Sequence, residues 1–336
     1  MFQEEDRDLT SVGSRYIEEV SHLQVGIDES DSVDANSFSA NNVIQRSAHD
    51  KKMQSTNDEP VELKKNEEDK FEYEGDWCVA SEDLSEDDFY RAKKDRKEWL
   101  LSRGTVFIDI DTGDYNATGF NNEYIESYQE MDVQTLIEFG SKDDRMALIT
   151  LVQLSDVRAS ARSDAAKKLV VLGDTAMGLQ QLVMDELNSA SFRFSERNGA
   201  DAKVKEYLVE ALALVEFGLE RRDVSALNTY LMYTKNKDKF LNGLNPEHVL
   251  SDSDLSSIKE RTRLYNEKIE GERTDKNLPS LKEQEIPQIA NTIFNQELAF
   301  TYGEYGKLLN SGRIFSQWNN SYLQKNACVE RLIARH

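Results

Sequence analysis

The densest group of candidate ligand oxygens in the chain is Asp109-Ile-Asp111-Thr-Gly113-Asp114-Tyr-Asn116. Carboxylates and an amide at this spacing are the donor set of a hard cation such as calcium. A twelve-residue calcium loop counted from Asp109 would end on glutamate, but that place holds Phe120. Gly113 also falls one position before the glycine that such a loop needs. The segment therefore reads first as a solvated turn rich in Asp and Asn. A weak cation site, or an enzyme built on Asp109–Asp114, is the alternative.

Histidine and cysteine chemistry is sparse. Of the four histidines, only His248 falls in a folded region, in Asn245-Pro246-Glu247-His248-Val249 just before a helix, where a surface or capping role fits. A Ser-His-Asp or Cys-His nucleophile would have to use it, and no nucleophile elbow, HExxH or Walker A pattern accompanies it. Adjacent acidic pairs such as Glu18/Glu19 and Glu67/Glu68 do not face each other on a helix and are no acid/base pair. Cys78 and Cys328 are too few for a zinc site. They read first as reduced, partly buried thiols, with a long-range disulfide as the alternative in an oxidising compartment. No catalytic residue, cofactor or metal is expected.

Charge narrows the partners. Asp and Glu number 63 against 41 Lys and Arg, a formal net charge of −22. Such a surface repels phosphate backbones and anionic lipid. The most basic stretch, Arg91 to Arg96, follows the acidic run Glu82 to Asp88, which compensates it. No run is apolar and long enough to insert in a membrane. The first residues, MFQEEDRDLT, are acidic and unlike a signal peptide, so a cytoplasmic location is the default. A periplasmic or secreted location would follow if a targeting segment had been removed.

The elements that would position any site are helical. Residues 1–72 are predicted to be a mostly disordered acidic tail, with one short amphipathic piece at Tyr16, Ile17, Val20 and Leu23. Folded sequence begins near Phe71. Ser85 and Asp88 make a capping box for a helix that sets Phe89, Ala92, Arg96 and Trp99 on one side and stops at Gly104. Residues 105–111 alternate like a short strand or an extended linker. Helices are then predicted over 121–139, 144–158, 163–172, 175–188, 201–217, 223–233, 253–270, 284–310 and 314–334. The clearest starts at the Ser251/Asp254 capping box and continues through Leu255, Ile258, Thr262, Tyr265 and Ile269. The only prolines, Pro60, Pro246, Pro279 and Pro287, leave the central block uninterrupted.

Three helix-like runs end in a large apolar residue and glycine, at Gly140, Gly173 and Gly218, spaced 33 and 45 residues apart. A period in the thirties is typical of stacked helix pairs. Glycine there can end a helix in a left-handed cap, and Ala147, Ala176 and Ala226 allow close packing of the next helix. The segments Leu169-Val-Val-Leu-Gly-Asp-Thr-Ala-Met-Gly-Leu179 and Leu214-Val-Glu-Phe-Gly-Leu-Glu-Arg-Arg-Asp-Val-Ser-Ala-Leu227 resemble degenerate repeats of the tetratricopeptide and Sel1-like class, over residues 130 to 235 at most. The resemblance implies antiparallel helix pairs stacked into a superhelix that binds other proteins on its concave face. A helical bundle of another kind would carry the same signals.

The expected architecture is all-α: a disordered tail over 1–72, a repeat-like body over 73–250, and a helical cap over 251–336 that covers the open end of the stack. Tyr124, Tyr128, Tyr207, Tyr230 and Tyr233 are the candidates for peptide contact, should they line a groove. Tyr302, Tyr305, Phe315, Trp318 and Tyr322 read first as core of the cap. The leading functional expectation is a non-catalytic scaffold that binds a protein or peptide, with a basic or neutral segment suited to an acidic groove. A self-associating structural protein is the second reading, and the Asp109–Asp114 cation site or enzyme is the third.

Overall fold

The computed structural model describes Cys78 and residues 84–103, 107–108, 115–116 and 127–334. The proposed tail, the oxygen-rich turn from Asp109 to Asp114, and Tyr124 lie outside the described residues. Fourteen helices and one minimal β ladder make up the described part, so the all-α class holds.

Helix α1 (Glu86–Ser102) starts at Ser85, whose Oγ accepts from the Asp88 amide at 3.1 Å and donates to Asp88 Oδ2 at 2.6 Å. Glu86, Asp87 and Asp88 place negative charge at the positive end of its dipole. Ala92, Arg96 and Trp99 are buried, as their spacing predicts. The strand-like stretch yields a two-residue antiparallel ladder, β1 (Phe107–Ile108) with β2 (Tyr115–Asn116).

The body follows as α2 (Val133–Ser141), α3 (Arg145–Gln153), α4 (Ala159–Val171), α5 (Ala176–Arg197), α6 (Ala202–Glu220) and α7 (Ser225–Lys235). Each packs on the next, and α5 also touches α3 and α7. Links of a few residues force neighbours to turn back on one another. Then come three short helices, α8 (Lys237–Phe240), α9 (Pro246–Val249) and α10 (Asp252–Ser256), and the longer α11 (Ile258–Asp275) and α12 (Gln288–Ser311). The last two are α13 (Arg313–Ser316) and α14 (Ala327–Ile333). α11 returns to pack against both α4 and α6, while α12 packs against α1, α7 and α14. One apolar cluster runs from Leu136 to Leu332, and a smaller one joins Ala92 and Trp99 of α1 to Ile289, Ala290 and Ile293 of α12.

Several predicted boundaries shift for local reasons. The helix expected over 121–139 is interrupted, because Asp132 caps a new one by accepting from the Thr135 amide at 3.0 Å. α5 runs on to Arg197 and ends on left-handed Asn198. The Ser251/Asp254 capping box forms as read, but its helix breaks at Ser257 into α10 and α11. The long C-terminal helix is cut into α13 and α14 by a turn in which the Leu323 amide reaches Trp318 O at 2.9 Å.

The cysteines correct the leading expectation of free thiols. Cys78 and Cys328 form a disulfide, their Cα atoms 5.7 Å apart. α14 and α1 both pack on α12, which brings the start and the end of the described chain together.

Candidate functional site

The tyrosines proposed for peptide contact divide. Tyr230 and Tyr233 are buried at 0% and 4% exposure and cannot present their rings to a partner. Their register explains it: Ala226, Leu227, Tyr230 and Leu231 repeat at helical spacing on the inner face of α7. Tyr128 is half-buried and donates to Asp144 Oδ2 at 3.0 Å, so it secures a turn. Tyr207 is half-buried, with Lys203 Nζ 4.8 Å from its ring centre. The four that lie among the described residues are therefore not gathered into one surface.

Two polar regions do emerge, at opposite ends of α7. The first is a buried junction where the turns α2–α3, α4–α5 and α6–α7 meet. Each turn has a left-handed residue, Asp143, Gly173 or Arg222, followed by an aspartate. The aspartate amides bond back to Phe139 O, Leu169 O and Gly218 O at 2.9–3.2 Å, which closes the same helix-ending motif three times. Gly140 and Gly218, expected as the left-handed caps, are instead helical. They permit close approach: a Cβ on Gly140 would lie 2.8 Å from Leu148 Cδ2, and one on Gly218 would lie 3.2 Å from Asp223 O. Of the three glycines only Gly173 takes a positive φ.

Each aspartate then caps the next helix. Asp144 accepts from Met146 N and Ala147 N, Asp174 from Met177 N, and Asp223 from Ser225 N. Their second oxygens differ. Asp144 takes the Tyr128 hydroxyl. Asp223 Oδ2 takes Thr175 Oγ1 at 2.7 Å and Arg103 Nη2 at 2.5 Å. Asp174 Oδ2 is buried and makes no hydrogen bond. Burial works to raise the Asp223 carboxyl, but Arg103, with Ser225 and Thr175, outweighs it and holds the group below its ordinary value. Burial pushes Asp174 up to about 7, against the pull of the Met177 amide and Arg145.

Cations close the helix ends here. Lys168 donates to Gly140 O, Arg145 to Leu172 O, Arg273 to Val171 O, Arg103 to Arg221 O, and Arg221 to Leu281 O. Apart from Gly140 O, which also accepts from the Asp143 amide at 3.2 Å, these are carbonyls that a helix or turn leaves unmatched. The arrangement joins turns; among the described residues no group of three or more His, Cys, Asp or Glu could hold a metal.

The second region is an open groove of about 1030 Å³ between α7, α9, α12 and α13. Its floor includes Tyr230, packed edge-on against Phe315 with ring centres 6.1 Å apart. The Tyr230 hydroxyl is buried and makes no hydrogen bond, and burial raises its pKa. One wall is α12, where Gly303 and Gly306 face open space: a Cβ on Gly303 would meet nothing within 4 Å, and one on Gly306 only Asn310 Nδ2 at 3.8 Å. His248 lies exposed on the rim beside Asn245. Glu247 is committed to the α13 start, accepting from Arg313 N at 3.0 Å and Ile314 N at 3.2 Å.

Sequence reasoning missed this groove because its walls lie some seventy residues apart in the chain. The one local signal was a pair of glycines inside a helix with no turn to make. Compared with protein-family models, with curated proteins and with solved structures, the chain matches none.

Proposed function

We propose that the chain is a non-catalytic helical scaffold that binds a protein or peptide segment in the groove between α7, α9, α12 and α13. One observation carries the reading. The groove combines an open volume of about 1030 Å³ with an α12 wall on which Gly303 and Gly306 leave open space. Gly303 and Gly306 let a bound backbone come close to α12. Stacking of consecutive helices from α2 to α7 supports the kinship with repeat scaffolds, and α11 and α12 cover that stack. The Cys78–Cys328 bridge supports an oxidising compartment over the cytoplasm. Among the described residues no helix is long and apolar enough to cross a membrane.

The test is an array of synthetic twelve-residue peptides probed with the full chain and with its Gly306→Phe variant. The substitution fills the groove and improves helix propensity, so it leaves the fold intact. A set of peptides retained by the wild type and lost by the variant, with unchanged thermal unfolding, is expected. Equal retention by both proteins, or no retention by either, would overturn the proposal.

A further inference from the structure

We infer that the groove's occupant is an acidic peptide segment, an inference that rests on the groove being the binding site. The whole chain carries a net charge of −22, which pointed to a basic or neutral partner. The groove reverses that sign locally. Lys235, Lys237, Lys307 and Arg313 line it, against Glu247 and Glu304.

The two carboxylates are already engaged. Glu247 is held by the backbone amides of α13, and Glu304 lies 3.6 Å from Lys235 Nζ. Arg313 is spent on Asp252 at 2.6 Å and on the carbonyls of Glu247 and Leu250. That leaves Lys307, exposed on α12 with no ion pair or side-chain hydrogen bond among the described residues, and Lys237, whose partner Asp238 is itself largely in water. Lys237 and Lys307 on the rim add positive charge that Glu304, beside Lys235, and Glu247, held by backbone amides, do not cancel. Carboxylate side chains answer the lysines. A lysine-rich segment would meet uncompensated like charge in the same place.

The experiment titrates the full chain into three fluorescein-labelled twelve-residue peptides that share one Ser/Ala/Tyr frame and carry four Glu, four Gln or four Lys. Fluorescence anisotropy at low salt and at high salt is the readout. The Glu peptide is expected to bind about tenfold more tightly than the Gln peptide, with the difference erased by salt. Lys237→Glu with Lys307→Glu should remove the preference, and Gly306→Phe should remove binding of all three. Equal binding of Glu and Gln peptides, or tighter binding of Lys, with Gly306→Phe still blocking, would overturn the acidic occupant and leave the groove. Binding that Gly306→Phe does not touch would overturn the groove as well. A dimer by light scattering that Gly306→Phe abolishes would put a second copy of the chain in the groove, against this inference.

Discussion

At the N-terminal end of α7, polar groups are enclosed and mostly matched; its C-terminal end borders an open groove. Around Asp223, a buried arginine, a hydroxyl and the first amide of α7 share one carboxylate, and glycines sit where a methyl group would collide. Around Tyr230, a buried hydroxyl has no partner and two glycines face empty space. The first region is what a structural joint requires, since a buried charge is tolerated only when it is paired and bonded. The second has features that the fold itself does not need. Gly271, exposed on α11, is open too, but it stands alone and does not line this groove. The contrast separates parts of the chain that hold the stack from parts left to meet something else.

The largest effect should come from breaking the joint. Arg103→Met leaves Asp223 buried without its cation and frees the Arg221 carbonyl, so it should cost about 3–5 kcal/mol in urea unfolding. Adding Asp223→Asn should recover part of that loss, because the unpaired charge is removed. If Arg103→Met costs no more than a surface substitution, the joint is not a structural element and the comparison fails.

The disulfide comes next. Cys78→Ser should lower stability by about 2–4 kcal/mol, since the bridge closes a loop of 250 residues. Reducing agent should destabilise the wild type by a similar amount and leave the variant unchanged. A wild type insensitive to reduction would show that packing of α1 and α14 on α12 suffices.

Asp174 sharpens the comparison from inside the joint, as its one unmatched carboxylate. Its carboxyl rises from 3.8 to about 7 in the fold, so the folded state keeps a proton that the unfolded chain has released between those values. The associated stability is full below about pH 4, declines as pH climbs towards 7, and is absent above. Asp174→Asn keeps the oxygen that caps Met177 and removes the charge. It should stabilise by about 1–3 kcal/mol at pH 8.5 and change little at pH 4. The check is urea unfolding at both pH values. A loss at pH 8.5 would mean that attraction to Arg145 exceeds the cost of burial.

How much of this was readable depends on the range of the interaction. The Ser85 and Ser251 caps and the all-α class were legible, because each rests on residues three or four apart. The helix-ending motif used three times was visible only in part. The glycines at 140, 173 and 218 occupy different places in the helix-ending motif, whereas the left-handed residues 143, 173 and 222 and the aspartates after them are equivalent. Aligning on Asp144, Asp174 and Asp223 would have found it, since only those residues serve both the end of one helix and the start of the next. Tyr230 and Tyr233 were misplaced by type, although their spacing with Ala226 and Leu227 marked the inner face. The groove and Arg103–Asp223 join residues far apart in sequence, and no local pattern encodes such pairs.

The smallest effect is the most direct test of the contrast between tight and open glycines. A methyl group on Gly178 would lie 2.7 Å from Val170 Cγ2 and 2.8 Å from Ala166 O, so α4 and α5 would have to separate. Gly178→Ala should therefore destabilise by about 1–3 kcal/mol despite alanine's better helix propensity. Gly306→Ala meets nothing closer than 3.8 Å and should stabilise by up to about 1 kcal/mol. Opposite signs from the same substitution in two helices would show that Gly178 is kept for packing and that Gly306 is kept at a cost to the fold. A destabilising Gly306→Ala would instead mean that α12 needs the glycine for its own shape, and the groove wall would lose its claim to be built for a ligand.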